Sequence, residues 1–302
     1  MPDRERPSGD PRQLLREAEP QRRLDYLVGR ATTAPSPYNT QPWRFRSKDP
    51  GVVDLQWDPR RHLREADPDR RLLFTALGAA LENFLLAARD LGFEPVLEWL
   101  PDGEEASTVV RIRLGEPGPL PEPDPLVDLQ VRRRTGRGIM VGPVESAVEE
   151  AVEGLDLGEV VLDWIPAEAR RELGRLAGEA ASRQWGRPAF RRELVAWLRD
   201  DRKALDRLRD GVALTRLKRL PGGPAWVLRR AILHMPGPFD PGRRAARRLS
   251  RAPAAVALST PGDGLRDWLA TGRAYQRLGL QLAHAGLDLS PEAALVNDPE
   301  AR

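Results

Sequence analysis

The chain has 302 residues, 40% apolar and 31% charged, with Pro 29 and Gly 26. That composition fits a globular protein of about two modules, and disorder is not its default reading. It has no cysteine, which removes disulfides, thiolate metal sites, a cysteine nucleophile and a dithiol redox pair. The three histidines, His62, His234 and His284, lack ligand spacing and disfavour a metal site or a Ser-His-Asp triad. A pI of ≈ 9.6 accompanies a net charge of only +3 and reflects arginine, since Lys48, Lys203 and Lys218 are the only lysines. No window approaches the apolar run of about 20 residues that a membrane span needs, and the opening MPDRERPSGDPRQ lacks a signal core. The expectation is a cytoplasmic protein.

In chain order, residues 1–20 read as a polar leader, and RRLDYLVGRATTA follows as a helix with Leu24, Leu27 and Val28 on one face. The loop APSPYNTQPW leads into strands WRFRS and VVDLQW across the turn at Asp49, Pro50 and Gly51. Leu72 to Leu91 predicts a long, buried helix with Gly92 as its C-terminal cap. Strands VLEWL and STVVRIRLG close a first half, residues 21–114. A proline-rich linker, 115–125, separates it from a second half, 126–302.

The second half repeats the order of the first. A helix leads to VRRRTGR, another reaches Leu155, and strand VVLDWI occupies the place of VVDLQW, each suited to a sheet interior. Strand APAAVALST and helix DWLATGRAYQRLGLQLAHAG complete it. The two long helices align, Gly78 with Gly272, Ala80 with Ala274, Phe84 with Leu278 and Gly92 with Gly286, which suggests duplication, although two buried capped helices could share such a pattern by chance. The largest departure is an insertion at about 182–251, read either as a lid or as a peripheral decoration. The predicted fold class is α+β, mostly antiparallel sheets covered by helices, with the two long helices at the centre.

The chemistry-bearing segment is APSPYNTQPWRF. Pro35, Pro37 and Pro42 stiffen it, while Ser36, Asn39 and Gln41 carry hydroxyl and amide groups able to read a polar heterocycle. The plainer reading is a strand-entry loop held by its own side-chain hydrogen bonds. Arg133, Arg134, Thr135 and Arg137 form a guanidinium cluster that could grip a phosphate or could be a solvated helix end.

Together, P-S-x-x-N-x-Q-P-W and Arg133-Arg134-Thr135-Gly136-Arg137 resemble the two flavin motifs of the nitroreductase superfamily, with Thr in place of a Ser. In that family the loop and the phosphate motif come from different subunits; here one half carries each, which resembles the fused, twin or Acg-like branch. The resemblance implies two nitroreductase-like halves forming an intramolecular pseudo-dimer, so a monomer rather than a homodimer, with one FMN per chain. Ser36, Tyr38, Asn39 and Gln41 would meet the ring and ribityl, and Arg133, Arg134, Thr135 and Arg137 the phosphate. Tyr38 could stack at the flavin edge or pack between the halves. A further phosphate contact, made by a C-terminal basic residue in relatives, is either missing here or supplied by Arg302 or another arginine.

The implied activity is NADPH- or NADH-dependent reduction of a nitroaromatic or quinone-type acceptor, with no general base. The alternative is an FMN-sequestering or regulatory protein whose insertion covers the flavin. A third reading, an anion or nucleic-acid binder, rests on the basic stretch from Arg202 to Arg251, which lacks interleaved aromatics.

Overall fold

A computed structural model describes residues 10–132, 144–200, 202–214, 224–234, 241–298 and 300–301. Among these residues the fold is α+β, with twelve α-helices and mostly antiparallel sheets. It is organised by two 20-residue helices, α3 (Arg71–Asp90) and α11 (Leu265–His284), both central as expected.

Helix α3 is apolar around its whole circumference, so it can only be buried, and sixteen of its residues are. Contrary to the expectation that no segment reaches the length and hydropathy of a membrane span, α3 does; here it is the core helix, enclosed by α2 (Pro20–Ala31), α11 and a sheet. The two long helices meet at a point where neither can carry a side chain. A Cβ on Gly78 would lie 2.0 Å from the Leu269 carbonyl oxygen, and one on Gly272 would lie 2.0 Å from that of Thr75. In the alignment of Gly78 with Gly272, Thr75 corresponds to Leu269, so the contact is self-complementary, as across a two-fold axis. The same reciprocity recurs one turn on. Arg277 pairs with Glu82 at 2.5 Å, and Gln276 Nε2 donates to Asn83 Oδ1 at 2.7 Å, joining the same two helix positions in both senses. Both helices end alike. Gly92 (φ +80°) and Gly286 (φ +76°) take the left-handed position, and Phe93 and Leu287 N–H groups close back on the Ala88 and Leu282 carbonyls.

Four strands, β1 (Trp43–Asp49), β2 (Val52–Trp57), β3 (Val96–Trp99) and β4 (Thr108–Arg113), form one antiparallel sheet in the order β1-β2-β4-β3. Val53 and Leu55 of β2 and Val110 and Ile112 of β4 feed the core. Asp54 is fully buried between them and is satisfied by cross-strand Arg111, at 2.8 and 3.1 Å. Phe45 stacks on Phe84, centroids 5.9 Å apart, joining sheet to α3. The end of the polar leader is structured as well: α1 (Pro11–Arg16) sends Arg12 to Asp90 at 3.1 Å.

The second half diverges from the first beyond α11. After α4 (Pro125–Arg132) and α5 (Glu145–Val152), strand β5 (Val161–Trp164) pairs, among the described residues, with β8 (Val256–Ser259) alone. The expectation that VVLDWI lies in a sheet interior fails. With one neighbouring strand, Val161 and Trp164 remain 54% and 41% exposed, and only Val160 is buried. Helices α6 (Ala167–Gly186) and α10 (Pro241–Ser250) pack antiparallel through small residues and bracket α7 (Pro188–Ala196), β6 (Leu198–Arg199), α8 (Arg202–Leu208), β7 (Val212–Ala213) and α9 (Ala225–His234). Strands β6 and β7 pair in parallel over two residues each, and α12 (Ala293–Asn297) returns to α6.

Replacing Gly78 or Gly272 by Ala forces a methyl into a backbone carbonyl that neither helix can move cheaply. Each change is expected to lower unfolding free energy by about 3 kcal/mol, read from denaturant midpoints, with Gly29→Ala in open space as the benign control.

Candidate functional site

The loop between α2 and β1 has an unusual backbone. Tyr38, Asn39 and Gln41 all adopt positive φ, 49°, 54° and 53°, which L-residues enter only when their surroundings compel it. Internal bonds hold part of this shape: Asn39 N–H donates to Ser36 O, Thr40 N–H to Pro37 O, Gln41 N–H to Ser36 Oγ at 3.0 Å, and Gln41 Nε2 to Asn39 Oδ1 at 2.9 Å. The plainer sequence reading, a loop fastened by its own side chains, is therefore present. It does not exhaust the polar groups. Whichever way the two amides are oriented, one bond between them leaves one N–H donor face and one carbonyl acceptor face without a partner among the described residues.

The rest of the constraint comes from the insertion. Gly211 N–H donates to Asn39 O at 3.0 Å. Arg61 donates to Thr40 O at 2.6 Å and to Asp210 Oδ2 at 3.0 Å, and Asp210 also receives Arg199 at 2.6 Å. Glu193 on α7 accepts N–H bonds from Glu65 and Ala66, at 3.1 and 2.8 Å, while Arg187 donates to Glu65 O. Tyr38 lies between loop and insertion, against the apolar cluster of Leu194, Leu198, Leu214 and Ile232. Burial, and secondarily the Glu193 carboxylate, push its phenol pKa well above 10.0. Tyr38 also packs against the cluster of Leu63, Ala66 and Phe190. The insertion thus contacts the loop and its neighbours through Glu193, Asp210 and Gly211.

At the other end of the loop stands a buried amide cluster that sequence reasoning missed. Asn83 Nδ2 donates to Thr33 Oγ1 at 3.0 Å and to Arg30 O at 3.2 Å, Gln276 donates to Asn83 Oδ1, and Gln130 Nε2 of α4 donates to Asn83 O at 3.1 Å. The signal was legible as two polar residues, Glu82 and Asn83, interrupting an apolar helix. Gln130 is 3% exposed and its Oε1 has no partner among the described residues. Arg30 ties the same helices together by donating to Val127 O at 2.9 Å.

The structure therefore brings Ser36, Tyr38, Asn39 and Gln41 together in one loop. Arg133, Arg134, Thr135 and Arg137, together with Arg302, lie outside the described residues. So do 215–223 and 235–240 of the basic stretch; within its described part, Arg229 is committed to Asp200 and to the carbonyls of Val195 and Leu198. Tested against an FMN, the loop offers the mixed donor and acceptor set that a flavin edge requires. Among the described residues no group of three or more His, Asp or Glu could hold a metal. Compared with protein-family models and with curated proteins, the chain matches none.

Two outcomes follow from this geometry. The raised Tyr38 phenol contributes stability below pH 10, which is lost as the pH rises above that unfolded-state value toward its higher native one. Titration at 295 nm should therefore show one of the three tyrosines ionising late, and Tyr38→Phe should remove that phase. Arg61→Ala, by cutting the link between Thr40 and Asp210, should raise amide exchange of residues 36–41 by about tenfold with little change in the exchange of α3.

Proposed function

We propose that this chain is a nitroreductase-like FMN flavoprotein, a pseudo-dimer within one chain that binds a single flavin between its halves. The observation that carries the reading is convergence on Asn83. Thr33, three residues before Ser36, and Gln130, three residues before Arg133, both hydrogen-bond it. Three residues extend at most about 11 Å, so a loop of the first half and a basic segment of the second depart from one buried point. The two-fold character of the α3/α11 crossing supports the pseudo-dimer part of the reading.

In this reading Asn39 and Gln41 use their spare donor and acceptor on the flavin edge, Ser36 faces the ribityl, and Tyr38 anchors the loop from behind. Arg133, Arg134, Thr135 and Arg137 take the phosphate by charge-assisted bonds. Bound FMN would supply hydride transfer, from NADPH or NADH to a nitroaromatic or quinone-type acceptor. The protein's share is to bind, orient and exclude water; no side chain need act as a general base. A second reading is favoured by the insertion, whose contacts fall on the loop itself: a protein that holds FMN closed against hydride donors.

Purified protein mixed with FMN should retain one equivalent and turn yellow. Gln41→Ala should weaken retention by about tenfold, as loss of one or two hydrogen bonds implies, and Arg133→Ala combined with Arg134→Ala should weaken it further. A colourless protein that takes up no FMN overturns the proposal. Anaerobic NADPH separates the two readings: rapid bleaching of the flavin band supports turnover, and a persistent band supports sequestration.

A further inference from the structure

The near two-fold crossing of α3 and α11 has two sides, and they are chemically opposite. On one side the paired positions are the neutral amides Asn83 and Gln276, wrapped by α2 and α4. On the other the equivalent positions are Arg277 and Glu82, and there the molecule opens into a cavity of about 450 Å³ between α3, β3, the turn at 156–159 and α11. That volume falls in the range of small-molecule sites.

Arginine outnumbers carboxylate in the lining of this cavity. Glu82 is 1% exposed and two guanidinium groups divide its oxygens: Arg277 reaches Oε1 through Nε at 2.7 Å and Nη2 at 2.5 Å, and Arg273 reaches Oε2 through Nε at 2.9 Å. Across the whole lining Arg89, Arg266, Arg273 and Arg277 face Glu82, Asp156 and Glu159, with Asp156 3.8 Å from Arg277 and Glu159 4.0 Å from Arg266, which leaves one positive charge in excess. Arg277 spends its remaining Nη1 on the Asp156 carbonyl at 3.0 Å. Arg273 does not: neither of its Nη groups has a partner among the described residues, and the side chain stays 28% accessible in the cavity lining. With its Nε held by Glu82, the fork is fixed in place with its two outer donors unused, the arrangement that grips a planar carboxylate with both oxygens.

The remaining wall is apolar and aromatic. Ala270 and Ala274 form a flat strip of α11, and Trp99 at the end of β3 stands opposite with the Arg266 guanidinium 5.9 Å from its ring centroid. A flat, electron-rich ring beside a fixed fork selects a flat ligand carrying an anion at one edge. In the alignment of the two helices, Arg273 corresponds to Ala79 and Arg266 to Leu72, so the arginines are particular to this side and not a by-product of the helix pairing.

We infer that this cavity is a binding site for a small aromatic carboxylate, with Arg273 as its anion-binding residue and Trp99 as its stacking surface. The site is separate from the 36–41 loop and does not depend on the flavin reading. Its test is calorimetric titration of 2-naphthoate into the full-length protein, run with FMN present in excess so that the loop site does not take up the probe. Saturable binding of 2-naphthoate is expected, weakened at least tenfold by Arg273→Gln and by Trp99→Leu, with 2-naphthalenemethanol binding at least tenfold more weakly than the acid. A thermal melt of Arg273→Gln within a few degrees of the parent separates loss of a donor from loss of the fold. For a variant that melts lower, the alcohol-to-acid ratio on the unaltered protein decides instead. Absence of saturable binding, binding unchanged in Arg273→Gln, or inorganic phosphate binding as tightly as the naphthoate would each overturn the inference.

Discussion

Gly78 and Gly272 allow the backbones of α3 and α11 to touch, and the rest of the molecule is arranged around that contact. Close approach of two helices removes the space in which a side chain could adjust, so the pairing has one register and one crossing point. It also fixes which polar residues meet. The next turn sets Asn83 against Gln276 and Glu82 against Arg277, and these pairs would be costly to bury if the register slipped. The four-stranded sheet, α2 and α4 are then laid against α3 as a preformed surface, and the amide cluster on Asn83 records where they converge.

The same contact explains why a nearly symmetric centre supports asymmetric periphery. On the first-half side a full sheet covers the helices, whereas β5 and β8 make only a two-stranded ribbon on the other. The chain saved there is spent on α6 to α10, and that insertion crosses back to lie on the first half through Glu193, Arg187, Asp210 and Gly211. One flank of the crossing is thereby closed over a strained loop and the other is left as an arginine-lined hollow.

Much of the frame was legible in the sequence, because periodicity and caps are local properties. The two long helices with their cap glycines, the four strands of the first sheet and the 34–43 loop were all readable from residue pattern. Two kinds of fact were not. The exposure of β5 depends on how many strands stand beside it, which no property of VVLDWI encodes. The covering of the loop depends on Asp210 and Gly211, whose link to Arg61 and Asn39 has no local signature. For the candidate site, the polar residue types were readable, but their use was divided: one donor and one acceptor of the Asn39 and Gln41 amides are consumed by a bond inside the loop. The buried cluster on Asn83 announced itself only as a pair of polar letters inside an apolar run.

The anchoring of the loop by the insertion has a consequence for biosynthesis. Arg61 and Asp210 are 149 residues apart in the chain, and the α3 to α11 ion pair spans 191. During vectorial translation residues 36–41 leave the ribosome long before Asp210 and Gly211 exist, at a stage when their left-handed conformations have four internal bonds to sustain them. The outer anchors of the loop therefore form only after residues 210 and 211 have emerged, and until then the nascent segment is held by its internal bonds alone.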